Sequence, residues 1–517
     1  PGDLFENGEG GGLVRVTGDA RVVPVTSEWL ADRLDRHIAF YGLRPSGPDE
    51  LPGEPPAEPP KDAPVWLPQR IMAKDGERRL PRLDAVVTAP TLRQDGSLLA
   101  EPGYDPTARL LFVNHAGVEL PPIPEHPTLD QAREALEFLW RPFALFPLVD
   151  AVDRGVVLQA LLTAVARASL PTAPGTGLDA PAAGTGKTLL ASAIGALCLG
   201  QAPAILPPAG HQDEEARKRL FAVLREGQRV ILWDNVREPL GNTALDAFLT
   251  APSYTDRILG SSATATLPNR ALFLATGNNL RVVGDTCRRI LVARLDARAE
   301  RPYSREFAFS PLGMVLERRL DYVVAALTLM RAWISAGRPR RGPGSAGSFE
   351  AWDSLVRQTV CWLATWDERF ADPLLATDRA FAYDADTGKL AALLEALDNL
   401  YGETSFTVAQ LIAHVGQAGP GVYLPAPQQA LSEVLFELAG ERGVINPRIL
   451  GGWFGRHRDR RHGGRWLTRG KLRQGSTTWQ LQHEAGWGGL GGLGGSVSAE
   501  TDACAAAEAA PGPTGAA

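Results

Sequence analysis

The chain has 517 residues, of which 44% are hydrophobic and 22% charged, an ordinary soluble-globular balance that excludes a wholly disordered or collagen-like protein. At roughly 100 to 200 residues per domain this length supports about three domains. Net charge is -6, from 53 basic and 59 acidic residues, which excludes a uniformly basic surface but leaves room for a local basic patch.

Only six of the basic residues are lysines, and the Arg, Ala, Gly and Pro bias is that of a GC-rich genome, so arginine abundance alone is weak support for nucleic-acid binding. Cys198, Cys287, Cys361 and Cys504 are widely spaced, which suggests neither a zinc cluster nor a disulfide framework and fits a reducing compartment. The longest apolar runs, such as that from Val156, fall short of the ~18 residues a bilayer requires. A cytoplasmic protein is expected, in a bacterium or a phage-infected host. A chain opening on Pro1 is expected to be a fragment or processed product lacking an upstream domain.

In chain order, residues 1–128 read as an N-terminal accessory region. Eight prolines between Pro45 and Pro64 mark a linker or insertion. VWLP from Val65, DAVVTAP and LLFVNHAG read as short strands. A helical region follows over 129–171, with one helix over 129–140, capped by Thr128 and boxed by Gln131, and another over 149–168. Strands and helices then alternate over 172–300, the pattern of a parallel sheet with helical crossovers. Helical periodicity returns over 301–403, first in Leu316, Leu320, Val323, Val324, Leu327, Met330 and Trp333. Residues 404–484 read as two helices, a basic segment and closing strands. The Gly/Ala-rich stretch 485–517 is expected to be disordered.

The sharpest chemical signal is APAAGTGKTLL from Ala180. Gly184, Thr185, Gly186, Lys187 and Thr188 match the second half of a phosphate-binding loop, directly ahead of an apolar helix whose N-terminal amides can face an anion. Lys187 would neutralise the β/γ oxygens of ATP and Thr188 would ligate magnesium. Pro181 stands where such loops usually begin with glycine.

A second strand, RVILWDNV, ends in Asp234, 47 residues after Lys187. A carboxylate at a strand end beside the loop suits a magnesium ion. The next residue is Asn235, and an amide is a poor general base, so hydrolysis is less secured than binding. A third strand, RALFLATGNNL, ends in Asn278, 91 residues past Lys187. Asn278, favoured over Asn279, could hydrogen-bond the γ-phosphate and lytic water. A Gly-Asn-Asn β-turn is the plainer alternative. Arg288 and Arg289 follow, ahead of ILVARLD, as candidates for a finger reaching a neighbouring subunit, or as a solvated strand entry.

Together DAPAAGTGKTLL, ILWDNV, LDAFLTAPSYTDRILG, LFLATGNNL and GDTCRRILVARLD resemble the ATPase part of phage and mobile-element primase-helicases, related to superfamily 3 helicases and AAA+ ATPases. The resemblance spans most of residues 65–484. It implies an α/β fold with a P-loop NTPase core, flanking helical regions and a hexameric ring that translocates along one DNA strand. It also implies that Arg288 or Arg289 acts between subunits and that the segment around Arg257 feeds a DNA-contacting loop. No clustered metal-binding carboxylates suggest a primase site, so priming would belong to an upstream domain or partner.

The last signal is electrostatic. Between 441 and 473, Arg442, Arg448, Arg456, Arg458, Arg460, Arg461, Arg465, Arg469, Lys471 and Arg473 face only Glu441 and Asp459, a local net charge of +8. Such a reversal is the footprint of phosphate binding, and with its helices and strand-like close the region resembles a winged helix. A solvated basic face or an acidic protein contact is the alternative. His457 and His462 have no cysteine or carboxylate cluster to make a metal site. Three functions stay open: an ATP-driven helicase on single-stranded or forked DNA, a nucleotide-gated DNA-binding switch or loader that hydrolyses poorly, and an AAA+ protein remodeller.

Overall fold

The computed structural model describes residues 3–10, 12–41, 61–74, 76–114, 118–209, 213–260, 263–298, 309–383, 385–415, 425–441, 443–473 and 476–484. Most of the proline-rich insertion, Arg442 and the tail from 485 lie outside them. The chain divides into two compact units, Pro1–Thr387 and Gly388–Ala517. No described helix is long and apolar enough to cross a membrane.

The first unit opens with a small sheet in which Leu4–Asn7 pairs antiparallel with Leu13–Val16 and parallel with Arg82–Leu83. A second sheet joins Ala85–Val87, Leu110–Phe112 and Gly103–Asp105, as DAVVTAP and LLFVNHAG foretell. VWLP is not a strand. Trp66–Ala73 is a helix, and Pro68 falls in its first turn, where the missing N–H would have had no intrahelical partner.

Thr128 caps the helix Leu129–Trp140, and Gln131 returns a hydrogen bond to the Thr128 amide, completing the expected box. Asp150 and Asp153 make the same reciprocal cap for Ala151–Ala166. That second helix is buried on nearly every side, which explains why it carries no polar stripe.

The unit's centre is a five-stranded parallel sheet in the order Ile205–Leu206, Val230–Val236, Leu272–Asn278, Gly175–Ala180, Ile290–Arg294. Its strands are apolar on both faces because both are covered. Val230 and Leu232 join a core with Val156 and Leu190, while Ile231 and Trp233 join one with Leu220 and Leu245. A hairpin, Ser253–Arg257 with Thr264–Pro268, is inserted between the second and third of the sheet's neighbours in this order. The helices Pro311–Glu317, Arg319–Ser335 and Leu375–Tyr383 follow.

In the second unit, a three-stranded sheet runs Phe406–Thr407, Ser476–His483, Arg465–Arg473. Helices Val408–Val415, Ala426–Ala439 and Pro447–Arg456 pack on it through Leu411, Leu431, Leu450 and Phe454. Leu390, Leu393, Leu394 and Leu397, from the helix Ala385–Tyr401, share this core. The unit therefore begins at Gly388 rather than at residue 404: an apolar stripe shows that a helix is buried, not which core buries it.

Candidate nucleotide site

The strand Gly175–Ala180 turns at 181–186 into the helix Lys187–Leu199. Gly184 and Gly186 hold φ of +80° and +95°, a backbone region that side chains disfavour. A Cβ on Gly186 would lie 3.0 Å from the Phe146 ring, so glycine is needed there for space as well. The turn leaves the first amides of the helix without intrahelical partners, and their partial positive charge favours an anion.

Lys187 is 8% exposed. Its Nζ donates to Asn278 Oδ1 at 2.8 Å and to Ala182 O and Thr185 Oγ1, each at 3.2 Å. Burial pulls its pKa below the usual lysine range, opposed by the charges of Asp179 and Asp234. The ammonium is thus held by neutral oxygens that a phosphate could replace.

Thr188 Oγ1 donates to Asp234 Oδ1 at 2.7 Å, and Thr276 Oγ1 donates to the same oxygen at 2.5 Å. A hydroxyl and a carboxylate form an oxygen-only donor pair, which suits a hard divalent cation such as magnesium. Beyond Asp234 the strand pairing shifts between Trp233 and Val236. Asn235 takes a φ of +59°, its amide N–H reaching Thr276 Oγ1 at 3.1 Å and its side chain facing outward.

Parallel register explains which predicted residues meet. Ala180 pairs with Asn278, and Gly277 with Val236, so the loop, Asp234 and Asn278 share the C-terminal edge of the sheet, the edge at which open α/β sheets bind ligands. Arg288 and Arg289 precede Ile290, which pairs with Gly175, and so lie at the opposite edge. Arg289 is 13% exposed in its side chain and ion-paired with Asp246 at 3.1 Å, and it also contacts Asp285; Arg288, 51% exposed, pairs among the described residues with Asp285 alone. The Arg288 guanidinium holds the Asp285 carboxyl below its ordinary pKa.

Arg257 is exposed at the end of its hairpin strand, beside Leu259, which is 87% exposed. The hairpin base is anchored by Arg167, which is fully buried and donates to the carbonyls of Asn269, Leu170 and Ala271. Burial lowers the Arg167 pKa to about 9. Asn269 in turn donates to Phe248 O at 2.6 Å.

In the second unit Arg456, Arg458, Arg461 and Arg469 are exposed, and Arg460 and Arg465 are half-buried. Arg465 pairs with Asp398 at 3.1 Å, Arg458 with Asp459 at 3.0 Å and Arg461 with Glu484 at 3.3 Å, so part of the +8 is neutralised locally. Arg448, Arg456, Lys471 and Arg473 are exposed with no carboxylate partner among the described residues. His457 is buried and stacked on Trp453 at 3.9 Å between ring centroids.

Sequence reasoning missed three contributors. Thr276 was the signal most open to reading, a hydroxyl in the apolar run LFLATGN. Asp179 lies in the loop's own strand, and Phe146 comes from a distant segment that only the fold brings to Gly186.

No family model matches the chain, and no curated protein matches it. Similar solved structures include the apo A form of the NrS-1 C terminal region, at 12% identity, covering 92% of this chain and 96% of that one with a TM-score of 0.38. The SCCmec type IV Cch active helicase is 11% identical over 70% of this chain and 71% of that one, with a TM-score of 0.27. A JCV helicase with a bound thiazolopyridine compound is 14% identical over 48% of this chain and 73% of that one, with a TM-score of 0.19. With each of these TM-scores under 0.5, function rests on the chemistry of the site itself.

Proposed function

We propose that the chain is an ATP-dependent DNA helicase or translocase, the motor part of a phage or mobile-element primase-helicase acting in DNA replication in the cytoplasm. The observation that carries the reading is the meeting of Lys187, Thr188, Asp234 and Asn278 at one sheet edge, beside a turn that exposes helix amides. Those amides and Lys187 would hold the β- and γ-phosphates of ATP. Thr188 and Asp234 would hold Mg2+, which when bound neutralises phosphate charge. Asn278 would then report the γ-phosphate, since its amide already contacts the lysine that binds there.

Arg288, exposed at the far edge, would act on the site of a neighbouring copy in a homo-oligomeric, hexameric ring. Arg257 on its hairpin would contact single-stranded or forked DNA. The second unit would serve as a winged-helix-like DNA-binding domain, in which Arg448, Arg456, Arg469, Lys471 and Arg473 would form a phosphate-binding face. Priming would be supplied by an upstream domain or partner.

A nucleotide-gated DNA-binding switch is the second reading, and Asn235 favours it. The position directly after Asp234 carries an amide rather than a carboxylate, so no base immediately follows the proposed magnesium ligand. The deciding measurement is ATP turnover with and without single-stranded DNA. DNA-stimulated turnover supports the motor. No turnover, with DNA affinity that changes on ATP binding, supports the switch. In a motor, Asn235→Ala tests whether this amide positions the water: turnover falls with ATP binding intact if it does.

A further inference from the structure

Asp179 sits one residue before the end of the loop strand, 9% exposed, and no step assigned above uses it. Its Oδ1 accepts the Leu280 N–H at 2.7 Å. One residue on, Ala180 O accepts the Asn279 N–H at 3.0 Å. These two bonds fasten the turn after Asn278 to the strand that leads into the phosphate loop. The turn needs fastening, because Asn279 takes a φ of +52°, a left-handed conformation that surrounding contacts must hold. It is also closely packed: a Cβ on Gly277 would come within 2.7 Å of Val236 O.

We propose that Asp179 is a positioning residue of the nucleotide site: by gripping the Leu280 amide it holds the turn 278–280 in register, and so presents the Asn278 amide to Lys187. Burying a carboxylate is costly unless it is hydrogen-bonded or faces a cation. Asp179 has both compensations, since the charges of Lys187 and Arg294 act on it. A residue that merely filled the strand would have no need of that charge. The burial of Asp179 raises its carboxyl pKa, while the Leu280 amide and the two cations act in the opposite direction.

The inference rests on the nucleotide-site reading, and two readouts separate their failures. The first, hydrogen exchange of the full-length protein, needs no turnover. Asp179→Ala should speed exchange across 278–281 by roughly tenfold, the equivalent of one ordinary hydrogen bond, while Asp179→Asn, which keeps an acceptor oxygen, should retain most of the protection. Unchanged exchange in Asp179→Ala overturns the proposal whether or not the wild type hydrolyses ATP.

The second readout is ATP turnover with fluorescent-nucleotide binding. Asp179→Ala should lower kcat about as much as Asn278→Ala with little change in nucleotide affinity. The double variant should be no worse than either single one, and Asp179→Asn should recover most of the loss. Additive losses, or a lowered Tm with kcat unchanged, would show that Asp179 only supports the fold.

Discussion

Lys187 and Asn278, 91 positions apart, are joined by a 2.8 Å hydrogen bond from Nζ to Oδ1, from the first turn of the helix that follows one strand to the end of the parallel strand beside it. The bond links the residue proposed to bind phosphate directly to the residue proposed to sense it, so the two should fail differently. Lys187→Ala removes the point charge at the phosphates and should abolish measurable ATP binding. Asn278→Ala leaves the amide cradle and the lysine in place. It should bind nucleotide nearly normally but turn over about 10²-fold more slowly, the scale for losing one preorganised polar contact to a transition state. Fluorescent-nucleotide titration beside a steady-state ATPase rate separates the outcomes; equal ATP affinity in Lys187→Ala would end the loop assignment.

The two arginines ahead of Ile290 should also divide. Arg289 is mostly buried between Asp246 and Asp285, and losing it would leave Asp246 short of its cation. Arg289→Ala should lower Tm. Arg288 faces solvent with Asp285 as its ion-pair partner among the described residues, and such exposed pairs contribute at most about 1 kcal/mol, so Arg288→Ala should leave Tm nearly unchanged. If Arg288 serves a neighbouring subunit, that variant should lose turnover and inhibit wild type when mixed with it. Activity strictly proportional to concentration down to a demonstrated monomer would rule out action in trans.

A third expectation concerns stability alone. Arg357, 1% exposed in its side chain, pairs with Asp353 at 2.7 Å and Asp372 at 2.6 Å, and donates to Pro343 O at 2.7 Å. Its two carboxylate partners raise its pKa against the cost of burial. Arg357→Met would strip Asp372 of this cation and leave Asp353 to the more exposed Arg340 at 3.2 Å, and should cost about 3–5 kcal/mol, read as a shift in the denaturant midpoint of unfolding. A change under about 1 kcal/mol would mean that water reaches these groups. The effect should be confined to the first unit.

The turn and helix start of the proposed phosphate loop were legible because the pattern is local: glycines, a lysine and a helix start occupy consecutive positions. Asp234 and Asn278 were legible because each ends an apolar strand, a pattern that survives without knowing which strands are neighbours. The separate environments of Arg288 and Arg289 were not, since adjacent residues of one type differ only through what packs on them, here Asp246 from a helix 43 positions upstream of Arg289. Phe146 escaped for the same reason. Trp66–Ala73 was misread because a four-residue apolar run carries no period that distinguishes helix from strand.

The boundary at Gly388 decides how the DNA-binding role proposed for the second unit should be tested. Ending the chain at residue 403 would leave Leu390, Leu393, Leu394 and Leu397 on a helix stripped of the core that buries them, inviting aggregation unrelated to DNA. Ending it at Thr387 avoids this. Such a protein retains Lys187, Thr188, Asp234, Asn278 and Arg288, all in the first unit, and should keep its basal ATP turnover. Its DNA affinity should fall and its salt dependence flatten, because each lost phosphate contact removes about 0.9 log units per tenfold change in salt on duplex DNA and about 0.7 on a single strand. In the full chain, neutralising Arg469, Lys471 and Arg473 one at a time should flatten the slope by about one such step each, whereas removing 485–517, which has no lysine or arginine, should change neither slope nor affinity. Unchanged affinity and slope after truncation at Thr387 would assign DNA binding to the first unit and leave the basic face for an acidic protein partner.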